Sequence, residues 1–190
     1  MQEEVMKVRM VPVAYLFNTF PRAMRSLAEE KGKDIEFLVK GENTYLDKAI
    51  LDRMKDPLMH LLRNALDHGI ESPEERRKRG KDGQGKVTLA AYQEGSHVVI
   101  EVSDDGKGVD IEKVKEGAVK KELVAKEKAR DLVNEEVYQL LFSSGFSTKD
   151  EVTDVSGRGV GLDVVKEVIA QLKGTVEVRS SIEKGTSFIL

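Results

Sequence analysis

A stripe of polar side chains borders the apolar face of a helix predicted from the segment HLLRNALDHG, residues 60–69. At about 100° per residue, His60, Asn64 and His68 fall on one edge of that helix. The asparagine amide offers a neutral oxygen of the kind that Mg²⁺ accepts while keeping water and phosphate oxygens in its shell. The histidines alone make a weak zinc site, because the chain has no cysteine and no third histidine nearby. Asn64 therefore suits a magnesium ion that arrives with a nucleotide, although an ordinary surface asparagine gives the same pattern.

The segment VVIEVSDDGKGVD, residues 98–110, directs one of two adjacent aspartates inward. Strand alternation places Asp104 on the face of the preceding apolar side chains, whereas Asp105 faces outward. A carboxylate in a largely apolar cavity needs a hydrogen-bond donor, and the exocyclic amino group of adenine is such a donor. Gly106 and Gly108 allow the backbone to bend and to approach a ligand closely. A plain turn after an edge strand explains these residues equally well.

The segment SGRGVGLDVV places three alternate glycines, Gly157, Gly159 and Gly161, directly before a predicted helix. Free backbone N–H groups and the positive end of a helix dipole at this point would form a phosphate cradle. A flexible turn can have the same composition. A dinucleotide-binding fold would need the motif soon after its first strand, and here the motif follows a long loop near the end of the sequence.

The elements that must position these residues alternate between helices and strands. We predict helices over 11–32, with Pro21 restarting or kinking the first, over 46–69, with Pro57 marking a break or first turn, and over 111–121, 126–141 and 161–173. We predict strands over 34–41, 86–93, 96–103, 175–181 and 185–190, of which the middle two form a hairpin through Glu94 and Gly95. This order predicts an α+β fold, a two-layer α/β sandwich whose mixed, mostly antiparallel sheet is covered on one face by helices.

Length and charge limit the classes of function. A chain of 190 residues fits one domain, residues 1–190, with residues 1–10 expected to be the end of a preceding helix or linker. Its 31 basic and 34 acidic residues nearly cancel, so no overall field favours nucleic acid or an anionic membrane. The absence of cysteine, of a signal peptide and of an apolar run of about 18 residues predicts a cytoplasmic protein without membrane insertion.

The charged stretch ESPEERRKRGKDGQG, residues 71–85, has two interpretations. Its basic residues could contact phosphate. The interleaved glutamates and glycines favour a solvated connection instead.

Taken in order, the three motifs and the final Gly185–Thr186 pair resemble the ATP-binding catalytic domain of histidine kinases, in the superfamily shared with DNA gyrase B, Hsp90 and MutL. Within it, HLLRNALDHGIE, LFSSGFST and VSGRGVGLDVV are similar to the chemotaxis histidine kinases, and the similarity extends to VRMVPVAYLFNTFPR near the start. The resemblance implies a Bergerat-type fold with a flexible ATP lid at about 142–161. It also implies that ATP and Mg²⁺ are bound and that the γ-phosphoryl group passes to a histidine on a separate phosphotransfer domain.

The resemblance implies roles for individual residues. Asn64 would be the Mg²⁺ ligand, and Asp104 the adenine contact, with Thr186 hydrogen-bonding beside it. His60 and His68 flank Asn64, His60 reaching the metal through water. The other implied binding residues are Gly106 and Gly108 beside the base and sugar, Lys113 beside phosphate, and Ser147, Lys149, Gly157, Gly159 and Gly161 in the lid.

The resemblance also bears on catalysis. His60, Asn64 and Lys149 are the implied catalytic residues. His60 stands where the ATPases of the superfamily typically carry a glutamate that activates water, and this departure favours transfer to a protein acceptor over hydrolysis.

The implied partners are a phosphoacceptor domain of the same protein acting in trans and, through a homodimeric parent protein, a coupling adaptor and chemoreceptors. Two alternatives stay open. Steady phosphate release without an acceptor would indicate an ATPase that hydrolyses ATP to drive conformational clamping. Failure to bind any adenine nucleotide would indicate an adaptor with a degenerate pocket.

Overall fold

The computed structural model describes residues 9–144, 146 and 161–190, and most of their strands belong to one five-stranded sheet. The strands are β1 (Met10–Pro12), β2 (Ile35–Lys40), β3 (Tyr45–Asp47), β4 (Gly85–Glu94), β5 (His97–Asp104), β6 (Glu177–Ser181) and β7 (Gly185–Ile189). The order in the sheet is β2-β4-β5-β7-β6; β2 pairs with β4 in parallel and every other neighbour is antiparallel. The predicted mixed, mostly antiparallel sheet is therefore confirmed.

A second, two-stranded sheet pairs β1 with β3. The sequence analysis did not predict it, because strands of three residues carry too little alternation to be recognised. It lies just before the longest helix and brings the chain from Val13 back to Thr44 through a backbone hydrogen bond of 2.8 Å.

The helices follow the predicted order with two exceptions: the helix over Pro73–Lys78 was not predicted, and residues 11–12, predicted as helix, belong to β1. They are α1 (Ala14–Phe17), α2 (Phe20–Glu30), α3 (Lys48–Asn64), α4 (Pro73–Lys78), α5 (Ile111–Lys120), α6 (Lys126–Asp131), α7 (Asn134–Leu140) and α8 (Leu162–Gln171), and a π-helical segment (Ala65–Gly69) extends α3. None of the helices in the described ranges is long and apolar enough to cross a membrane. The prediction of residues 1–10 as a linker concerns mainly residues outside those ranges.

Two predicted boundaries are wrong. Pro57 lies inside α3 and neither breaks nor starts it, because burial of Leu51, Met54 and Leu58 on the same face outweighs the roughly 3 kcal/mol cost of an interior proline. The helix predicted over 126–141 is divided into α6 and α7, where Val133 is extended and its N–H donates to the Glu136 carboxylate at 3.0 Å.

The hydrophobic core lies between α3 and the sheet. The side chains of Leu58, Leu61 and Leu62 are fully buried, as are those of Val87 and Leu89 on β4. Since this face of α3 is held on the sheet, the end of the helix is fixed close to the end of β5.

We predict that two glycine substitutions will separate close packing from backbone conformation. Gly32 and Gly41 both have positive φ, 61° and 71°, but a Cβ at Gly41 would lie 1.7 Å from the Ala91 carbonyl oxygen, whereas one at Gly32 would meet nothing within 4 Å. We expect Gly32→Ala to lower the free energy of unfolding by about 1–2 kcal/mol and Gly41→Ala to lower it considerably more. Urea denaturation measures both, and equal losses would contradict the packing seen between residue 41 and β4.

Candidate functional site

The two adjacent aspartates at the end of β5 face opposite sides and have different partners. Asp104 lies against the end of the π-helical segment, since a Cβ at Gly69 would lie 2.8 Å from its carboxylate. The Gly106 N–H donates to Asp104 Oδ1 at 2.9 Å. Asp105 instead accepts from the Lys86 N–H at 2.8 Å and from Arg76 Nη2 at 2.9 Å. Asp104, and not Asp105, thus retains acceptor capacity towards the helical layer.

Burial raises the pKa of Asp104 to about 6. The backbone N–H groups of Gly106 and Thr186 act in the opposite direction, while the charges of Asp105 and Glu71 raise the pKa further. At neutral pH the carboxylate is therefore mostly ionised, and it can accept a hydrogen bond from an amino group.

Thr186 stands directly across the sheet from Asp104, in the antiparallel pairing of β5 with β7. Its side chain is 8% exposed, and its hydroxyl lies 3.1 Å from the Ser180 hydroxyl. Ser180 also accepts from the Val109 N–H at 2.8 Å and donates to the Gly185 carbonyl at 2.9 Å. The predicted neighbours Asp104 and Thr186 are thus brought together, with Ser180 joining β6 to the turn after β5.

The glycines of this turn are packed against the protein's own backbone. A Cβ at Gly106 would lie 2.2 Å from the Gly69 carbonyl oxygen, and one at Gly108 would lie 2.2 Å from the Ser181 carbonyl oxygen. The Lys107 N–H also donates to the Gly69 carbonyl at 3.0 Å. The turn is therefore held between the π-helical segment and the β6–β7 connection, and these contacts alone explain both glycines.

Asn64 and His60 lie on the last two turns of α3. Both are half-buried, and no described residue hydrogen-bonds the Asn64 amide. Burial lowers the pKa of His60, the nearby charges of Arg63 and His68 lower it further, and Asp163 opposes the shift. His68 is exposed at the end of the π-helical segment. Asn64 and Asp104 therefore lie at opposite ends of this segment.

Helix α8 brings its first turn to the same edge. Arg53 of α3 hydrogen-bonds Gln171 at the end of α8, and Asp163 at the start of α8 influences the charge of His60. The two helices therefore run antiparallel, with Gly161, the residue before α8, near the polar end of α3. In the first turn of α8 the Val164 N–H donates to the Asp163 carboxylate at 2.9 Å, which leaves the N–H groups of Leu162 and Asp163 to face an anion.

The residues present fit a magnesium ion that arrives with phosphate groups. Within the described ranges, no group of three or more histidines, aspartates or glutamates is placed to hold a metal ion, so these residues form no protein cage. Mg²⁺ usually keeps several waters and needs one or two protein oxygens besides substrate phosphates. The Asn64 amide, half-buried and without a described partner, meets that requirement.

Lys113, expected beside phosphate, lies at the start of α5. Its side chain is 78% exposed on α5, and its ammonium lies 3.2 Å from the Asp110 carboxylate, which caps the same helix. No described contact joins it to Asn64 or Asp104. The expected lid residues Ser147, Lys149, Gly157 and Gly159 lie outside the described residues.

Residues 71–85, predicted as a solvated connection, contain two buried charged side chains. Arg76 is 1% exposed and forms an ion pair with Glu71, which is itself buried. The capping box of Ser72 and Glu75, visible in the sequence as S-P-E-E, could have indicated a helix here. The pattern could not indicate which arginine of EERRKR turns inward.

Lys33 is a second residue that the sequence analysis missed. Its ammonium donates to the carbonyls of Leu66 and Ile70, the latter at 2.7 Å, and burial lowers its pKa. Lys31 lies 3.3 Å from the Asp67 carboxylate. Both lysines hold the π-helical segment that separates Asn64 from Asp104.

The sequence of this chain is similar to those of known histidine kinases. Residues 54–190 match the family of histidine kinase-, DNA gyrase B- and HSP90-like ATPases. The chain is 48% identical over all 190 residues to the chemotaxis protein CheA of Halobacterium salinarum, covering 28% of that protein. It is 50% identical over 187 residues, 98% of its length, to the sensor histidine kinase CheAY of Helicobacter pylori, covering 23% of that protein.

A solved structure shares the fold. The catalytic domain of the histidine kinase ThkA superposes with a TM-score of 0.58 at 17% sequence identity, over 95% of this chain and 90% of that one. At this identity the likeness concerns the fold alone, and it confirms the α/β sandwich.

We predict a pH-dependent stability difference arising from Asp104. Its pKa is about 6 in the folded chain against an ordinary value of 3.8, so folding favours the protonated form. Ionisation of the buried carboxylate therefore lowers the free energy of unfolding. This loss is absent below pH 3.8 and complete above about pH 6, so the free energy of unfolding falls as the pH rises through the window between these two values.

The free energy of unfolding of the native chain, measured against Asp104→Asn by urea denaturation, should fall by about 3 kcal/mol at most across that window. The amide does not titrate, so the variant corrects for all other groups. Parallel pH profiles for the two proteins would contradict the assignment.

Proposed function

The chain belongs to the histidine kinase-, DNA gyrase B- and HSP90-like ATPase family, and we propose that it is one domain that binds ATP with Mg²⁺ and transfers the γ-phosphoryl group to a histidine of a separate phosphotransfer domain. The observation that carries the proposal is the Asp104 carboxylate, which packs against Gly69 and is oriented by the Gly106 N–H. The names of the relatives, chemotaxis protein and sensor histidine kinase, support the transfer chemistry.

The adenine base is recognised by Asp104 and its neighbours in this proposal. The ionised carboxylate accepts from the exocyclic amino group, with Thr186 beside it across the sheet. Guanine carries a carbonyl at that position, and two acceptors facing each other repel. The site therefore prefers adenine over guanine nucleotides.

The phosphate end lies at the other end of the π-helical segment. Asn64 holds the Mg²⁺ that neutralises phosphate charge when the nucleotide is bound, and the first turn of α8 faces the phosphates. His60, whose pKa is lowered by burial, lies one turn before Asn64 and reaches phosphate oxygens or water near them. We extend the proposal to His68, Lys149, Ser147 and the glycines 157, 159 and 161 as phosphate-side residues.

The transfer step requires positioning more than a strong base. An imidazole nitrogen of the acceptor attacks the γ-phosphorus, the bond to the bridging oxygen breaks, and ADP leaves. Burial lowers the pKa of His60, which weakens it as a base for activating water and favours the imidazole acceptor over hydrolysis. Alignment of the acceptor with the γ-phosphorus supplies most of the rate.

The wider setting is part of the proposal. The chain spans about a quarter of the length of the curated relatives it matches, so phosphoacceptor, adaptor and chemoreceptor contacts involve other parts of a parent protein. We propose that this parent is a cytoplasmic homodimer that acts in trans on its own acceptor histidine.

Incubation with labelled ATP and a separate phosphotransfer domain tests the function. We expect acid-labile label on the acceptor histidine, and we expect Asn64→Ala to abolish it, because an oxygen ligand is lost while alanine keeps the helix. Asn18→Ala, at an exposed position after α1, is the matched control and should transfer normally. Rapid phosphate release without acceptor labelling would indicate an ATPase, and near-normal transfer by Asn64→Ala would remove Asn64 from the site.

Nucleotide affinity tests the role of Asp104 separately. Losing a hydrogen bond to a charged group should weaken ATP binding to Asp104→Ala by about ten- to a hundredfold. GTP should bind the native chain weakly and change little in the variant. Calorimetry measures all four affinities, and an unchanged ATP affinity would place the base elsewhere.

A further inference from the structure

A buried charged cluster lies directly behind the turn that carries Asp104. Arg76 is 1% and Glu71 is 6% exposed. Glu71 accepts from Arg76 Nη1 at 3.1 Å and from the Lys81 ammonium at 2.9 Å. Glu71 is therefore one buried carboxylate shared by two cations, and the Asp105 carboxylate pairs with Arg76 as well.

The two residues that follow Asp104 have backbone carbonyls bound by these cations. The Asp105 carbonyl accepts from Arg76 Nη1 at 3.2 Å and from the Lys81 ammonium at 3.1 Å. The Gly106 carbonyl accepts from the same ammonium at 2.7 Å. Two successive peptide groups are thus held by charged donors from a different part of the chain.

The same residues anchor the Asp105 side chain and the loop after α4. Arg76 Nη2 donates to the Asp105 carboxylate at 2.9 Å, and Arg76 Nε donates to the Asp82 carbonyl at 2.7 Å. Lys86 closes the other side through its N–H to the Asp105 carboxylate. The turn has little freedom to rotate, since its carbonyls and its side chain are bound from several directions.

The orientation of this turn determines the orientation of Asp104. The Gly106 N–H donates to Asp104 Oδ1 at 2.9 Å, so rotation of the peptide groups at Asp105 and Gly106 would remove that donor. We propose that Arg76 and Lys81 are positioning residues, which fix the Asp104 carboxylate in the orientation that accepts the adenine amino group. The inference rests on the proposed function, because it assumes that Asp104 contacts adenine.

Stability alone is a weak explanation for the cluster. Buried ion pairs contribute little net stability compared with apolar side chains of the same volume. Arg76 and Lys81 direct six of their hydrogen bonds to Asp105, Gly106 and Glu71, and Glu71 compensates part of their charge. This arrangement serves the geometry of one turn.

The test compares ATP with purine riboside triphosphate, which lacks only the 6-amino group. Lys81→Met is the variant, because Arg76 still compensates Glu71 after the change. Lys78→Met makes the same substitution at an exposed position in the same segment and is the matched control. Calorimetry with Mg²⁺, at a pH well above the Asp104 pKa, gives the ratio of the two affinities for each protein.

We expect native chain and Lys78→Met to prefer ATP by about tenfold or more, and we expect Lys81→Met to lose most of that preference. A partly unfolded variant weakens both ligands by the same factor, so the ratio separates positioning from loss of structure. Lys81→Arg, which keeps a cation at the position, should restore part of the preference.

The outcomes distinguish the two proposals. If the native chain binds both nucleotides equally, Asp104 does not read the amino group and the adenine contact itself is wrong. If the native chain discriminates and Lys81→Met retains the full ratio, the positioning role is overturned while the adenine contact stands.

Discussion

Adjacent side chains on a β-strand point to opposite faces, and the site depends on this constraint at the end of β5. Because of it, the Asp104 side chain faces the helical layer, whereas the Asp105 side chain faces the opposite way and binds Arg76 of the charged cluster. One carboxylate can therefore stay available to a ligand because its neighbour holds the turn. A shift of register by one residue would exchange the two roles and place the binding carboxylate in an ion pair with Arg76.

The π-helical segment sets the spacing between the two ends of the site, Asn64 and Asp104. It begins after Asn64 and ends at Gly69, which packs on the Asp104 carboxylate and receives the Lys107 N–H. Lys33 binds the carbonyl of Leu66 within the segment and that of Ile70 just after it. Asn64 and Asp104, which we propose as the metal and adenine contacts, are thus positioned by one short piece of backbone, in keeping with the functional use of π-helical turns elsewhere.

Local patterns were sufficient to predict much of this arrangement. Alternation along β5 identified Asp104 as the inward aspartate, and helical periodicity placed His60 and Asn64 on one edge of α3. The course of α3 through Pro57 was not predictable in this way. The side chains around Pro57 that stabilise the helix are buried against parts of the chain that are distant in sequence. The inward orientation of Arg76 likewise depends on Asp105, nearly thirty residues later, whose carbonyl and carboxylate it binds, and no local pattern around EERRKR indicates this.

A structure of the chain with Mg²⁺ and a non-hydrolysable ATP analogue tests the central claim most directly. We expect the exocyclic amino group of adenine within hydrogen-bonding distance, about 3 Å, of the Asp104 carboxylate, with Asp105 still bound to Arg76. An adenine base bound out of reach of Asp104, or an Asp105 carboxylate that has left Arg76 to contact the base, would contradict this account.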